Sequence, residues 1–352
     1  MRVLVTGHHG YIGSVVAPML RDAGHDVVGL DTFYYRDCDF GSSSAVEPAC
    51  DIDVRDVRSD DLEGFDAVVH LAALSNDPVG DLNPEWTYAI NLAGTVALAR
   101  AAREAGVRRF VFASSCSIYG AAEDDTSLDE KAALRPLTPY AESKVAAEKE
   151  LRELSDRDFA AVSMRNATAY GVSARLRLDV VLNNLVAWAH TTGAIRLESD
   201  GTSWRPLVHV RDIGVATMAL LDAPEGLVSG EAYNIGSDNQ NYRIRDLAEA
   251  VHELLPSCEI TFAAEASPDP RSYRVDFSKF SAAFPDCRLE WTAERGVEEL
   301  VRAFQTVGLT RDDFDSYRYV RLRQLRRLLD ARALGDDLRW ASLAGRQTGG
   351  RA

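Results

Sequence analysis

The sequence predicts an α/β fold in which a doubly wound parallel sheet is followed by a smaller lobe. Short β-branched runs alternate with helix-like segments through the first half of the chain, a pattern typical of stacked βαβ units with helices on both sheet faces. The second half is less regular, with longer polar stretches between its runs. We therefore expect a sheet domain over 1–170, a partly interleaved lobe over 171–310, and a helical extension with a tail over 311–352.

The individual elements follow from local patterns. Strands are predicted at RVLVTG, DVVGLD, DAVVHLAA, RFVFASS, AAVSMRN and EAYNIG, because each run is short, apolar and bounded by polar or glycine residues. Helices are predicted over 11–23, 86–104 and 243–255. Residues 312–340 carry apolar side chains at helical spacing among many arginines, which predicts one amphipathic helix packed on the body. The residues beyond Trp340 are small and polar, which predicts a frayed tail.

Size and charge exclude several classes of protein. The chain has 352 residues, 46% of them hydrophobic, so it can bury a sizeable core without cross-links. Its net charge of -15 disfavours nucleic acid and anionic membranes as partners, although a small phosphate-bearing ligand needs only local donors. The five cysteines are an odd number without a CxxC pair, which fits neither a disulfide framework nor a zinc site. We expect a cytoplasmic protein with no signal peptide, membrane span or metal.

A glycine loop follows the first predicted strand. Gly7, Gly10 and Gly13 lie in TGHHGYIGS, between that strand and a helix. Glycines at these places allow a tight turn, a close approach of backbone to a pyrophosphate, and a helix N-terminus that faces the anion. Asp31 ends the next strand, where a carboxylate accepts hydrogen bonds from the adenosine ribose and repels a 2′-phosphate. The pattern favours NAD over NADP; the alternatives are a structural turn and an aspartate that only caps a loop.

A tyrosine and a lysine form the candidate catalytic pair. Tyr140 and Lys144 are four residues apart in PYAESKVAAEKELREL, so they lie on one face of the predicted helix. A phenol is a weak base at neutral pH, but an adjacent ammonium stabilises the phenolate and lowers the pKa of the tyrosine. We expect Tyr140 to exchange a proton with a substrate hydroxyl. By itself such a pair also arises by chance in helices.

The motifs together resemble the extended short-chain dehydrogenase/reductase family, and within it the NAD-dependent nucleotide-sugar epimerases and dehydratases, such as UDP-sugar 4-epimerases. TGHHGYIG, DVRD, HLAA, INLAGT, FASSCSIYG and YAESK occur in the family's order, and WRPLVHVRD and DPRSYRVDFSK extend a looser match to about residue 290. The resemblance implies a Rossmann sheet and a bound NAD that is reduced and reoxidised in one cycle. It implies NAD contacts from Gly7, Gly10, Tyr11, Ile12, Gly13, Asp31, Asp53, Val54, Leu71, Ala72, Ala73, Asn91, Tyr140 and Lys144.

The resemblance also implies a nucleotide-diphosphate sugar as substrate. Ser115 matches the family's hydroxyl that steadies the proton transfer, and the other expected substrate contacts are Ser75, Asn76, Cys116, Ser117, Thr168, Asn184, Arg205 and Arg271. The sequence departs from the family's pattern in three places. His8 and His9 replace small residues of the glycine loop, and Thr168 stands where many relatives have asparagine. Cys116 and Ser117 stand where the sugar 4,6-dehydratases place an aspartate and a glutamate.

Three hypotheses remain open at this point. The first is a nucleotide-sugar epimerase that acts at C4 through a transient 4-keto sugar, because the dehydratase carboxylates are missing. The second is a dehydratase or other keto-sugar enzyme that uses Cys116 or Ser117 as an acid or base. The third is a non-catalytic NAD-binding regulator, against which the presence of both Tyr140 and Lys144 argues. The resemblance further implies a homodimer, formed through the helices over 86–104 and 140–154.

Overall fold

The fold is built on a seven-stranded parallel sheet with helices on both faces. The computed structural model describes residues 1–41, 48–122, 126–263, 269 and 271–341. The strand order is β11-β7-β5-β4-β1-β2-β3, and every neighbouring pair is parallel. This is the doubly wound arrangement that the alternating pattern predicts, so the fold class is confirmed. The strands are β1 Arg2–Thr6, β2 Asp26–Asp31, β3 Ala49–Asp51, β4 Ala67–His70, β5 Arg109–Ser115, β7 Ala160–Asn166 and β11 Glu231–Ile235.

The remaining described strands form small sheets beside this one. They are β6 Ser127–Leu128, β8 Thr168–Tyr170, β9 Ala194–Leu197, β10 Trp204–His209, β12 Asn241–Arg243, β13 Glu259–Phe262 and β14 Arg274–Val275. The α-helices are α1 Gly13–Asp22, α2 Asp77–Gly80, α3 Pro84–Thr87, α4 Thr95–Glu104, α5 Pro139–Leu154, α6 Val181–Thr192, α7 Val210–Asp222, α8 Ile244–Leu254, α9 Ser278–Ala283, α10 Ala293–Val307, α11 Arg311–Asp315 and α12 Arg321–Asp330. A π-helical turn over Tyr88–Gly94 joins α3 to α4.

Three apolar clusters hold these layers together. One packs α1 and α7 against one sheet face, around Val5, Val16 and Ile213, and a second fills the opposite face around Phe110 and Leu98. The third lies in the smaller lobe, between α6, α8 and α10. Burial of each apolar side chain stabilises the fold by about 1.5–3 kcal/mol, and the parallel strands are buried on both faces because helices cover both. None of the helices within the described ranges is long and apolar enough to span a membrane.

The C-terminal segment differs from its prediction. Instead of one helix over 312–340, the chain forms α11 and α12, separated by a turn, and then an extended segment closed by a bridge between Leu334 and Trp340. The break places Tyr319 in the core of the smaller lobe, whereas Leu325 and Leu328 pack under the large sheet. One straight helix could not reach both clusters. The predicted tail, 342–352, lies outside the described residues.

Candidate active site

A cavity of about 800 Å³ opens at the carboxyl ends of the parallel strands. This edge is where ligands bind in open α/β sheets, because the strand order reverses there and leaves a crevice. All but two of the predicted site residues line the cavity. The exceptions are Asn91 and Cys116, whose side chains are buried elsewhere. Residues that are distant in sequence therefore meet at one site.

The glycine loop is packed too closely for side chains at Gly7 and Gly13. Gly7 has φ +72°, and a Cβ on it would lie 2.7 Å from the backbone nitrogen of Ala72. A Cβ on Gly13 would lie 2.1 Å from the carbonyl oxygen of Gly7. The unusual His8 fits because its ring packs over Gly29 of β2, where a Cβ would come within 2.4 Å of the ring. The loop keeps its compact form despite the two histidines.

Asp31 lies at the end of β2 beside this loop. Its carboxylate accepts hydrogen bonds from the backbone N–H groups of His9, at 3.0 Å, and Phe33, at 2.7 Å. Burial raises the pKa of this carboxyl, while those two hydrogen bonds act in the opposite direction. The carboxylate is thus held at the cavity wall, where it presents its remaining acceptor capacity.

Asp53 lies at the same end of the cavity. It caps the short 3₁₀ turn that contains Val54 and accepts hydrogen bonds from Arg55 at 2.6–2.9 Å. Burial alone would raise the pKa of Asp53, but the Arg55 guanidinium outweighs it and the pKa is lowered. Asp53 is therefore a charged hydrogen-bond acceptor at neutral pH, and Arg55 already uses part of its capacity to accept hydrogen bonds.

Asn91 acts on the cavity indirectly. Its side chain is fully buried in the π-helical turn, where Nδ2 donates to the carbonyl of Leu74 and Oδ1 accepts from the N–H of Leu74. Asn91 holds the loop after β4 and does not line the cavity. Its side chain is therefore not placed to contact NAD directly. His70 is structural, because both of its ring nitrogens are hydrogen-bonded, to the hydroxyls of Thr6 and Thr95.

Tyr140 and Ser115 meet at the cavity wall. The helix α5 begins at Pro139, capped by the Thr138 hydroxyl, and this start sets the orientation of Tyr140. Ser115, at the end of β5, hydrogen-bonds the phenol, which lowers the pKa of Tyr140. Burial is the larger effect, and it raises the pKa of Tyr140 to about 12. The expectation of a lowered phenol pKa is therefore wrong for the protein by itself.

Lys144 explains this result. Its ammonium nitrogen donates to the carbonyl oxygen of Ala113 at 2.7 Å and lies 5.8 Å from the centroid of the Tyr140 ring. The Lys144 ammonium group is therefore hydrogen-bonded to the strand β5 and not to the Tyr140 phenol. Burial lowers the pKa of Lys144 to about 7, and Glu148, one turn further along α5, acts in the opposite direction. Glu148 is itself paired with Arg165 at 2.8 Å, both side chains being buried.

Cys116 and Ser117 point to different sides of the turn after β5. The Cys116 thiol is buried and lies 3.0 Å from the carbonyl oxygen of Arg165, outside the cavity. Burial raises the pKa of Cys116 well above the usual thiol value, so this thiol is neither exposed to a substrate nor ionised. Ser117 lines the cavity, and its hydroxyl has no hydrogen-bond partner within the described parts of the chain. The same holds for Oδ1 of Asn166.

The other predicted substrate contacts form a polar wall. Arg205 and Arg271 share the carboxylate of Asp269, at 2.7 Å and 2.9 Å, and Arg271 also pairs with Asp77. This network connects β10, α2 and the residues 269 and 271, and both arginines line the cavity. The remaining predicted members of the wall are Ser75, Asn76, Thr168 and Asn184.

The family follows from a comparison with known proteins. The model of the NAD dependent epimerase/dehydratase family matches residues 3–236. The chain belongs to this family. It is 35% identical over 276 residues to the UDP-glucose 4-epimerase of Streptomyces lividans, covering 72% of this chain and 80% of that protein. It is 27% identical over 337 residues to the Erwinia amylovora UDP-glucose 4-epimerase, covering 86% and 96%. The structure of MoeE5 in complex with UDP-glucuronic acid and NAD matches with a TM-score of 0.74 at 26% identity, covering 87% and 99%.

An NAD-dependent enzyme of this family needs a site for the dinucleotide, and the residues present fit one. Gly7, Gly10 and Gly13 line the cavity without side chains, and Asp31 and Asp53 offer acceptors at one end. At the other end Ser117 and Asn166 offer polar atoms that have no partner among the described residues. Backbone N–H groups at the start of α1 suit a pyrophosphate. The dinucleotide would therefore extend along the strand ends, with Tyr140 and Lys144 at its far end from Asp31.

Sequence reasoning missed several residues of the cavity. Arg177 and Asp179 pair at 2.8 Å in the loop before α6, and Arg321 reaches the cavity from α12. Tyr34, Tyr35 and Asp77 line it as well. A run such as SARLRLD carries no motif that distinguishes a buried arginine from a surface one. Only the absence of acidic neighbours at helical spacing to Arg321 hinted that its partner lies elsewhere.

Proposed function

We propose that the protein is a nucleotide-sugar epimerase that inverts C4 of its substrate through a 4-keto intermediate. Within the proposed division of the chain, residues 1–170 supply most of the dinucleotide site and residues 171–310 most of the sugar-nucleotide site. The strand β11, at 231–235, returns to the large sheet, so the two parts are interleaved. The UDP-glucose 4-epimerases among its relatives make a UDP-hexose the first substrate to test.

One observation carries this proposal. The cavity holds the set for removing and returning a hydroxyl proton, Tyr140, Ser115 and Lys144, and the part of the chain that the structure describes places no unpaired acid beside them for elimination. Cys116 is buried outside it, and Ser117 is an alcohol. Of the carboxylates close to this set, Asp77, Asp179 and Asp269 are each paired with an arginine. Proton transfer to and from oxygen is therefore better provided for than proton abstraction from carbon.

The chemistry divides between cofactor and protein. Bound NAD supplies a reversible hydride acceptor. Tyr140 takes the proton of the sugar's C4 hydroxyl, and Ser115 hydrogen-bonds both the phenol and the reacting oxygen, which keeps the two aligned. After the 4-keto sugar has rotated within the cavity, Tyr140 returns its proton to the same oxygen. Because the phenol pKa is raised to about 12 in the protein alone, the base must gain strength from a nearby positive charge, which protonated Lys144 and an oxidised nicotinamide ring provide.

The polar wall supports binding of the diphosphate sugar. A guanidinium fork matches phosphate oxygens, and Arg205 and Arg271 already stand fixed by Asp269 before the ligand arrives. Asn184 and Thr168 face the same space, and Ser75 and Asn76 lie on the loop after β4. A preformed wall reduces the ordering cost of binding.

Isotope labelling tests the proposal. Epimerisation at C4 exchanges no carbon-bound proton with solvent, so product formed from a UDP-hexose in heavy water should carry no carbon-bound deuterium and should keep the substrate's mass. Elimination or inversion next to the ketone would introduce deuterium at C3 or C5, or release water. Either result would replace the C4 epimerase by a dehydratase or related enzyme, for which Ser117 is the available cavity residue. The absence of turnover with every sugar nucleotide, despite bound NAD, would favour a regulator.

We also propose a homodimer in a reducing, cytoplasmic setting. Helices α4 and α5 pack side by side, and Ala93, just before α4, and Ala97, within it, are exposed. Small exposed residues allow helices of a second copy to approach closely, and an isologous contact through one pair of helices closes on a twofold axis. All five cysteines are unpaired, which suits a compartment that keeps thiols reduced.

A further inference from the structure

The helix α12 contributes an arginine to the cavity although it lies beyond the residues matched by the family model. Arg321, its first residue, is only 3% exposed. Its backbone N–H donates to Asp179 at 3.2 Å, and its Nη2 donates to the carbonyl oxygen of Arg175 at 2.7 Å. The guanidinium carbon lies 4.1 Å from the ring centroid of Tyr35. Two segments that are far apart in sequence, one at Tyr35 and one over 175–179, therefore hold this residue.

A second buried guanidinium lies close to the first. Arg177 donates from Nε to Asp179 at 2.8 Å and from Nη1 to the Ser75 hydroxyl at 3.0 Å. The positive charges of Arg177 and Arg321 both act to lower the pKa of Asp179. One carboxylate thus serves two cations. Nη2 of Arg177 and Nη1 of Arg321 are both buried and have no hydrogen-bond partner among the residues that the structure describes.

Such an arrangement is costly without a ligand. A buried charged group whose N–H is unpartnered loses its hydration without compensation, and a cation in excess over its counterion adds to the penalty. The pair lines the cavity, so an anion that enters can satisfy both N–H groups. A polyvalent anion with several oxygens suits two guanidiniums better than a single carboxylate does.

The surroundings indicate which anion this is. The Arg175 carbonyl that accepts from Arg321 belongs to a residue whose guanidinium Nε lies 3.1 Å from the His9 ring in the glycine loop. Asn183 connects the carbonyl of Arg177 to the hydroxyl of Tyr11, in the same loop. Ser75 and Asn76, on the loop after β4, also contact the cluster, because Ser75 accepts from Arg177 and Asn76 donates to Asp179 at 3.2 Å. Arg205 and Arg271 are held separately, by Asp269. The links through Arg175 and Asn183 to His9 and Tyr11 connect the pair to the glycine loop and favour the dinucleotide as its ligand.

We propose that Arg321 and Arg177 bind the pyrophosphate of NAD, so that the C-terminal extension completes the dinucleotide site. The proposal rests on the assignment of the glycine loop to NAD, but not on the reaction at C4. The two guanidiniums supply a charged contact in addition to the N–H groups of the helix α1. A cofactor held in this way stays bound while it is reduced and reoxidised.

The rest of the extension keeps α12 in place. The indole N–H of Trp340 donates to the carbonyl of Thr32 at 2.6 Å, and Arg55 donates to the carbonyl of Asp337 at 2.7 Å. Arg339 pairs with Asp56. These contacts join the extension to the loops that follow β2 and Asp53, both at the proposed adenosine end. Release of NAD past Arg321 would require at least part of this segment to move.

The test measures cofactor release in the absence of any sugar nucleotide. Wild-type protein and the Arg321→Gln variant are loaded with labelled NAD, and its dissociation rate is followed during a chase with unlabelled NAD. We expect release from the variant to be about tenfold to a hundredfold faster, the usual value of one charge-assisted hydrogen bond. The matched control is Arg326→Gln, which removes an exposed arginine of the same helix and should leave the release rate unchanged.

Two further measurements separate binding from folding. Because a buried cation with an unpartnered N–H is removed, the melting temperature of NAD-free Arg321→Gln should be equal to or above that of the wild type, whereas its rise on adding NAD should be smaller. UDP is the second probe, and its affinity for the NAD-loaded variant should be unchanged. Arg321→Lys, which keeps the charge but loses the fork, should release NAD at an intermediate rate and provides the readout if the Gln variant does not fold.

The proposal is overturned if NAD leaves Arg321→Gln, or Arg321→Lys where only that variant folds, at the wild-type rate. It is also overturned if UDP affinity falls while NAD release is unchanged, because the anion would then belong to the sugar nucleotide. Loss of C4 epimerisation with normal NAD release would leave Arg321 outside the cofactor site. A failure to find C4 epimerisation in any variant concerns only the proposed function.

Discussion

Replacing Lys144 by methionine should change how the stability of the NAD-free protein depends on pH. The Lys144 ammonium nitrogen is buried, with the Ala113 carbonyl at 2.7 Å and the Phe112 ring centroid at 4.5 Å. Burial lowers its pKa from the usual 10.5 to about 7. Methionine has a similar unbranched shape but does not titrate, so the variant removes the proton equilibrium while it keeps most of the packing.

The sign and size follow from proton linkage. Between pH 7 and pH 9 the unfolded chain keeps Lys144 protonated, whereas the native protein loses that proton. The unfolded state then binds more protons, so this residue makes the free energy of unfolding rise with pH, by at most 1.36 kcal/mol per pH unit. Allowing for partial titration near pH 7, the wild-type stability should rise by about 2 kcal/mol relative to Lys144→Met over these two units. Well below pH 7 both states are protonated, so the difference should become constant.

Urea unfolding of NAD-free protein at pH 6, 7, 8 and 9 provides the measurement. Each variant is compared with the wild type at the same pH, which cancels the other titrating groups. The control is Lys149→Met on the same helix α5, whose lysine side chain is 77% exposed. Its stability should run parallel to the wild type across the range. A difference between wild type and Lys144→Met that stays constant from pH 7 to pH 9 would refute the reasoning and show that native Lys144 titrates like a free lysine.

Three further predictions concern the cofactor, catalysis and assembly. Denatured protein should release NAD and not NADP, because the Asp31 carboxylate would repel a 2′-phosphate; chromatography that finds mainly NADP would contradict this role. Tyr140→Phe should lower turnover by about a hundredfold or more with NAD still bound, since the ring remains but the proton acceptor is lost. Near-normal turnover would place the base elsewhere. Sedimentation velocity at micromolar concentration should show a homodimer, and a monomer alone would rule out the proposed contact through α4 and α5.

Much of the sheet domain could be predicted from sequence alone. β1, β2, β5 and β7 lie where their apolar runs predict strands, and α5 covers the predicted stretch from Pro139 to Leu154. These features depend on neighbouring residues, because backbone hydrogen bonding and capping act over a few positions. The Tyr140–Lys144 spacing and the glycine loop are local in the same sense. Residues of the glycine loop and the Tyr140–Lys144 pair all line the cavity.

Errors arose where a contact depends on distant residues. The break between α11 and α12 arises because two apolar clusters, in different layers, bind the two halves of the segment. Cys116 and Ser117 are adjacent in sequence, yet only the fold decides that one thiol turns into the core and one hydroxyl into the cavity. Asn91 was expected to contact NAD, and the structure shows it hydrogen-bonded to Leu74 instead.

The sequence by itself determined the alternation of strands and helices, the glycine loop with Asp31, and the Tyr140–Lys144 pair. The tertiary structure alone decided how that pair is protonated, because burial depends on which layers cover α5. Burial raises the pKa of Tyr140 and lowers the pKa of Lys144. It also decided that Arg177 and Arg321, 144 positions apart, share Asp179 in one cavity wall. Local hydrogen bonding is encoded by neighbours in the chain, whereas desolvation and charge pairing depend on neighbours in space.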